Sequence, residues 1–286
     1  MSFQELTQFA ARVGRRAKKD LIGSRAAALA FYMIFALVPL LVLVLSIFSL
    51  LMGQRQVQQM IISFFSSRIG TQGSTFFHNI LHQVSTFEVN TFASVIGIVL
   101  VLYAATNLFL HLQKTFAAIF SVKETEEGII QETVKKRTLA FSFMVIFFAL
   151  IFLLIVVNIA SSVLFGAIQS LWANIIPSLV FQLGKYMVTF LLSIFIFGFM
   201  YHFASAGKIS WKSAFFGGLV AAFLFGVINA LLSVYLSFSN HLSAYGAAGF
   251  LIAFLLWFYY VSMALFLGGE VSAVFHYTEH LYRSER

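Results

Sequence analysis

Between Ala26 and Phe48 the chain reads AAALAFYMIFALVPLLVLVLSIF, a run without a charged residue and with Pro39 inside it. No other feature constrains the fold as much, because a bilayer core takes about 20 apolar residues as α-helix. Five more stretches reach that length, and the six lie at about 26–52, 92–113, 138–165, 178–203, 213–236 and 245–275. A cleaved export signal has an apolar region of only about 7–15 residues, followed by a small-residue cleavage site. Here the run is longer and its alanines come first, so it reads as a retained span. The expected fold class is an all-α membrane protein with six transmembrane helices. A basic segment, 1–25, precedes the transmembrane domain, 26–275, and a tail, 276–286, follows it.

Composition agrees. Hydrophobic residues make up 60% of the 286 and charged ones only 10%, against about 25% charged in soluble domains. There is no cysteine, which excludes disulfides, thiol chemistry and Cys-based metal sites. The net charge of +8 would suit nucleic acid, but the placement of the bases argues for a membrane. Fifteen of the 18 Lys and Arg fall on alternate segments: six before the first span, five between the second and third, two between the fourth and fifth, and two in the tail. Basic residues collect in cytoplasmic segments, so both termini are expected to be cytoplasmic. The expected partner is the bilayer itself, with anionic headgroups on the cytoplasmic side, and not nucleic acid. A homo-oligomer is compatible with the small-residue stripe in the fifth expected span, 213–236, described below.

Pro39 removes one backbone donor and kinks the first helix, either as a static packing feature or as a hinge. In the connection 53–91, VQQMIISFF and STFFHNILHQV read as short amphipathic helices at the membrane surface. The connection 114–137 reads as an interfacial helix followed by a turn near Gly128.

Glu270 is the only acidic residue inside the six expected spans. A carboxylate in a membrane is costly and marks function by default; the plainer alternative is an ion pair locking the bundle, with Arg25 as the expected partner. Tyr103, Asn107 and His111 are spaced four apart, on one helix face expected to point into the bundle. With His202, these residues, Arg25 and Glu270 form a candidate polar cluster near the cytoplasmic side. It is either a vestibule or proton-coupled gate, or a set of independent interfacial side chains. Asn158 and Asn229 are expected to make interhelical hydrogen bonds. Gly218, Ala222 and Gly226 form a small-residue stripe for close helix packing or dimerisation, and Gly268 and Gly269 are expected to serve packing beside Glu270. His78 and His82 have the spacing of metal ligands on a helix but lack a third. HYTEH, 276–280, matches a zinc-protease pattern with no downstream ligand. No metal, cofactor or catalytic residue is expected.

Three stretches together resemble the YihY/BrkB family of bacterial inner-membrane proteins: AAALAFYMIFALVPLLVLVLSI, KISWKSAFFGGLVAA and SAYGAAGFLIAFLLWFYYVSMALFLGGEVSAVF. The resemblance covers residues 15–278. It implies six helices in the bacterial cytoplasmic membrane. The family carries two inherited names, a virulence factor linked to serum resistance and ribonuclease BN, the latter regarded as a misassignment. Its molecular function is not established, so the resemblance implies no catalytic residues. MYHFASAGKIS departs from relatives, which tend to have a proline-containing stretch there. The expected function is a passive or ion-coupled transporter; the alternative is a non-transporting scaffold or envelope-integrity factor. An enzyme is not expected.

Overall fold

The structure, a computed structural model, describes residues 3–36, 53, 55–63, 78, 91–122, 164–165, 168, 178–237 and 246–284. Every regular element among them is helical: α1 (Phe3–Lys19), α2 (Ile22–Ala36), α3 (55–63), α4 (Thr91–Ile119), α5 (Ser178–Ala204), α6 (Trp211–Ser237) and α7 (Gly246–Ser284). Among the described residues, three stretches are long and apolar enough to cross a membrane: Val180–Ala204, Trp211–Leu232 and Leu251–Thr278. These coincide with the last three expected spans. Pro39 and its kink, Gly128, and nearly all of 138–165 lie outside the described residues.

The apolar helices turn large side chains outward in stripes. Leu183, Met187, Leu191 and Phe195 stand exposed on α5, and Leu219, Phe223, Val227 and Leu231 on α6. Such stripes at four-residue spacing would be untenable in water over this length and are the natural face toward lipid.

Three boundaries differ from expectation. The basic N-terminal segment is itself a helix, α1. Phe9, Val13, Arg16, Ala17 and Asp20 recede from solvent along one side, while Arg12, Arg15, Lys18 and Lys19 remain exposed. Bases in its last turn also suit the negative end of the helix dipole. Leu21, in the left-handed region at φ 53°, then stops α1 and lets α2 start. Residues 114–119 continue α4 and do not form a separate interfacial helix. Finally, α7 runs 39 residues, about 58 Å at about 1.5 Å per residue. That exceeds the ~30 Å apolar core, so most of the expected tail is a helical extension.

The chain packs as two compact units. The first comprises residues 1–23, 112–226 and 263–286. Its centre is aromatic: the Phe116 ring lies 5.7 Å from Phe266 and 5.9 Å from Tyr201, edge-on in both cases. The buried Tyr201 hydroxyl donates to the Leu265 carbonyl at 2.7 Å. Glycines let the backbones approach this closely. A Cβ on Gly217 would collide with the Gly268 carbonyl oxygen, and one on Gly218 would stand 2.7 Å from the Ile194 carbonyl oxygen. Between α5 and α6 the turn is closed without proline. Gly207 takes φ 74°, the His202 ring lies 3.9 Å from that of Trp211, and Ser210 Oγ caps α6 by accepting from the Ser213 N–H.

The second unit comprises residues 24–111 and 227–262. Here Trp257 Nε1 donates to Asn229 Oδ1 at 3.1 Å, the interhelical bond expected of Asn229. Val57 and Ile61 are buried on α3, which gives it the amphipathic character read from VQQMIISFF.

Candidate functional site

Glu270 lies deep in the first unit. It is 0% exposed, in the stretch of α7 where burial is nearly continuous. The two glycines before it set its surroundings. A Cβ on Gly268 would come within 2.5 Å of the Tyr201 hydroxyl and 2.6 Å of the Ala221 Cβ, so α7 can approach α5 and α6 only without that atom. Gly269 faces Phe116 and Ile119 of α4 at ordinary contact distance. Two residues after Glu270, the Ser272 hydroxyl donates to the Ser213 carbonyl at 2.8 Å, which fixes the rotation of α7 against α6.

Among the described residues, one base reaches the carboxylate. Arg16 Nε stands 3.2 Å from Glu270 Oε2, while its Nη2 donates to the Ile119 carbonyl at 2.7 Å. The same guanidinium lies 5.4 Å from the centre of the Tyr277 ring, within cation–π range. A single side chain of α1 thus ties together the end of α4 and two turns of α7. Arg16 is 28% exposed and forms the solvent side of the pair. A partly buried ion pair of this kind is fragile, because removing either partner leaves the other charge poorly solvated.

The other half of the carboxylate differs. Glu270 Oε1 is buried and receives no hydrogen bond from any described residue. Asp20, one turn beyond Arg16 on the receding side of α1, brings its own carboxyl group within electrostatic reach of Glu270.

The expected partner of Glu270, Arg25, is replaced by Arg16, which stands earlier in the chain on a helix absent from the sequence reading. Arg25 belongs to the second unit, where its carbonyl accepts from His111 Nε2 at 2.9 Å. Nε2 of His111 must carry the proton, since a carbonyl can only accept. The His111 ring also lies 5.5 Å from Tyr32. The expected inward face of Tyr103, Asn107 and His111 is only partly so: Asn107 and His111 are half-buried, whereas Tyr103 is 68% exposed and points away. His202 donates from Nδ1 to the Ile209 carbonyl at 3.0 Å; its described contacts close the α5–α6 turn. Of the small-residue stripe on α6, Gly218 and Ala222 are packed but Gly226 faces open space. The close α6–α7 contact belongs to Gly217, which the small-residue stripe passes by.

His78 is exposed and His82 lies outside the described residues. Among the described residues, no three His, Asp or Glu side chains gather as metal ligands would. In HYTEH, His276 Nδ1 accepts from the Ser210 N–H at 3.3 Å and so serves the start of α6.

The profile of the family described as virulence factor BrkB matches residues 13–286. The chain belongs to this family. It is 25% identical over 263 residues to YfkH of Bacillus subtilis, a protein with a ribonuclease-like name, covering 88% of this chain and 90% of that one. It is 27% identical over 258 residues to a UPF0761 membrane protein of Legionella pneumophila, covering 87% of this chain and 57% of the relative. Against a UPF0761 membrane protein of Vibrio vulnificus it is 25% identical over 269 residues, 93% of this chain and 81% of the other. The chain thus spans little more than half the length of the Legionella relative. No solved structure matches.

Proposed function

We propose that this BrkB-family membrane protein moves a solute or lipid-related molecule across the bacterial cytoplasmic membrane, passively or coupled to an ion. The observation that carries the reading is Glu270: a carboxylate wholly buried within an apolar helix, with one oxygen held by Arg16 and the other without a donor among the described residues. A residue kept only to lock helices together would be expected to have both oxygens satisfied, since a buried acceptor left unpaired costs about 1–3 kcal/mol. Intramembrane carboxylates that keep such a cost are found on ion and substrate paths. The proposed orientation places both termini in the cytoplasm, beside anionic headgroups, from the alternate placement of Lys and Arg. The reading is non-enzymatic; the ribonuclease-like name of the Bacillus relative describes that protein.

A second reading has an observation in its favour. Arg16 contacts Glu270, Ile119 and Tyr277 at once, which is what a static helix lock would do. On that reading the protein is a scaffold or envelope-integrity factor.

A thermal-shift screen of the purified protein against ions, metabolites and lipids, beside Glu270→Gln, separates the two. A ligand at 100 times its dissociation constant stabilises the folded form by about 2.7 kcal/mol. For a chain of this size that is a shift of several degrees. Transport predicts a ligand whose shift disappears in Glu270→Gln. The scaffold reading predicts no ligand and a variant that is merely less stable.

A further inference from the structure

We infer that the exposed basic side of α1 is a binding surface for the phosphate headgroups of anionic phospholipid. The inference goes beyond the transport reading and stands whether or not anything is moved.

Three observations converge. The first is charge. From Leu6 to Lys19 the helix carries five bases and no acid. Arg16 is committed to Glu270 and the Ile119 carbonyl. Arg12, Arg15, Lys18 and Lys19 are exposed, and among the described residues none of these four side chains has an ion pair or a hydrogen bond. The second is placement around the helix. At about 100° per residue, Arg15 and Lys18 lie opposite the side that carries Phe9 and Arg16, with Arg12 and Lys19 at its edge. The four bases therefore do not face the packed side of α1.

The third is the direction in which α1 runs. In the register of α6 against α7, Gly217 meets Gly268 and Ser213 meets Ser272, so Phe216 is level with Gly269. Phe9 packs on Phe216, and Arg16 reaches Glu270. These two contacts start about 10 Å apart along α1, yet they end within one residue of a common level on α6 and α7. The helix α1 thus runs across the other two and not along them. That level is about 7.5 Å inside Trp211 along α6, and Trp211 is 41% exposed. An exposed Trp at the end of an apolar span marks the headgroup boundary. A helix lying across the bundle there turns its free side toward the surrounding lipid. Lys and Arg stems then lie along apolar surface while their charged ends reach the phosphates. Without such anions, Arg15 stands in like-charge pairs with Arg12, Lys18 and Lys19 at three- and four-residue spacing, which weakens a helix in water. Headgroup phosphates remove that repulsion, so lipid binding and the seating of α1 go together. A nucleic acid carries the same phosphates but stays in water, and the level of α1 favours the lipid.

The full chain, delipidated in dodecyl maltoside, is followed by thermal unfolding with added phosphatidylglycerol or phosphatidylcholine, with inorganic phosphate, and with a short RNA. The wild-type midpoint should rise by several degrees with phosphatidylglycerol over phosphatidylcholine, and the rise should shrink as salt is added. A variant with Arg12→Gln, Arg15→Gln, Lys18→Gln and Lys19→Gln together should unfold no earlier than the wild type in phosphatidylcholine and should lose the rise. Lys208→Gln with Lys212→Gln, bases exposed elsewhere in the same unit, should keep it. If the fourfold variant fails to fold, Arg12→Gln with Lys19→Gln and Arg15→Gln with Lys18→Gln should each remove part of the rise. Equal midpoints in the two lipids, or a rise that survives these substitutions, would overturn the surface. So would a rise abolished by the Lys208 and Lys212 substitutions. An equal rise with inorganic phosphate or with RNA would also overturn it, by assigning the bases to free phosphate or to nucleic acid. Flux in proteoliposomes is read separately: a lipid response without flux leaves this surface standing and removes the transport reading.

Discussion

Arg16 and Glu270, 254 residues apart in sequence, meet at 3.2 Å between Nε and Oε2. The contact joins a basic amphipathic helix to the interior of an apolar one. It also explains why α1 is held although most of its surface is exposed: beyond Arg16, its described aromatic contact is Phe9 against Phe216, edge-on at 6.2 Å.

Replacing Arg16 by Ala should cost about 2–4 kcal/mol, below the ~3–5 of a fully buried pair because the guanidinium is partly solvated. Arg16→Lys should recover only part of this, since an ammonium cannot serve the carboxylate and the Ile119 carbonyl in the same fork geometry. Thermal unfolding of Arg16→Gln, Glu270→Gln and the double variant should show coupling of about 0.5–3 kcal/mol. Additive losses would mean that the two residues do not interact. The Arg25→Gln variant should add independently to Glu270→Gln.

Glycine substitutions should sort by depth of contact. At Gly217 and Gly268 a methyl group meets backbone or a buried hydroxyl, and overpacking of this kind costs about 1–3 kcal/mol. At Gly226 nothing lies within 4 Å, so alanine should be neutral or stabilise by up to about 1 kcal/mol through helix propensity. Melting temperatures of the three variants, each purified in the same detergent, read this order directly. A Gly226→Ala variant as damaging as the others would contradict the packing described.

The Tyr201→Phe variant removes the hydroxyl that donates to Leu265 and leaves the ring in its cluster. The loss should be about 1 kcal/mol, the net value of a typical hydrogen bond. It should be much smaller than that of Tyr201→Ala, which also empties a core position worth about 3–5 kcal/mol for a large aromatic. Chemical or thermal unfolding of the two variants side by side checks the ratio.

The sequence reveals its structure unevenly, for physical reasons. Spans such as 178–203 were legible because length and absence of charge are enough to define them, and α5 ends within a residue of that reading. The buried carboxylate was legible for the same reason: one charge in an apolar run stands out. Its partner was not, because pairing depends on which helices touch, and hydropathy carries no such information. A signal existed all the same. Phe9, Val13, Arg16, Ala17 and Asp20 fall on one helical face, which places one base and one acid on the side of α1 that packs. Gly217 was passed over in favour of its neighbour Gly218 because both are small. Only the observed rotation of α6 shows that the first meets α7 and the second meets α5.

Orientation can be read on the same protein. The chain has no cysteine, so single cysteines at Lys18 and Lys208, both exposed, report without background. With both termini cytoplasmic, a membrane-impermeant maleimide should label neither position from outside in intact cells and both after permeabilisation. Labelling of either in intact cells would reverse the proposed topology.

The central claim is that Glu270 handles an ion in the membrane and does more than lock helices. The most direct measurement is charge movement in proteoliposomes after a rapid jump in sodium, potassium or hydron concentration, wild type against Glu270→Gln. The account predicts a current in the wild type, above that of empty liposomes, which disappears in the variant while the variant remains folded. A folded wild type that moves no charge under any of the three jumps would contradict it and leave Glu270 as the static partner of Arg16.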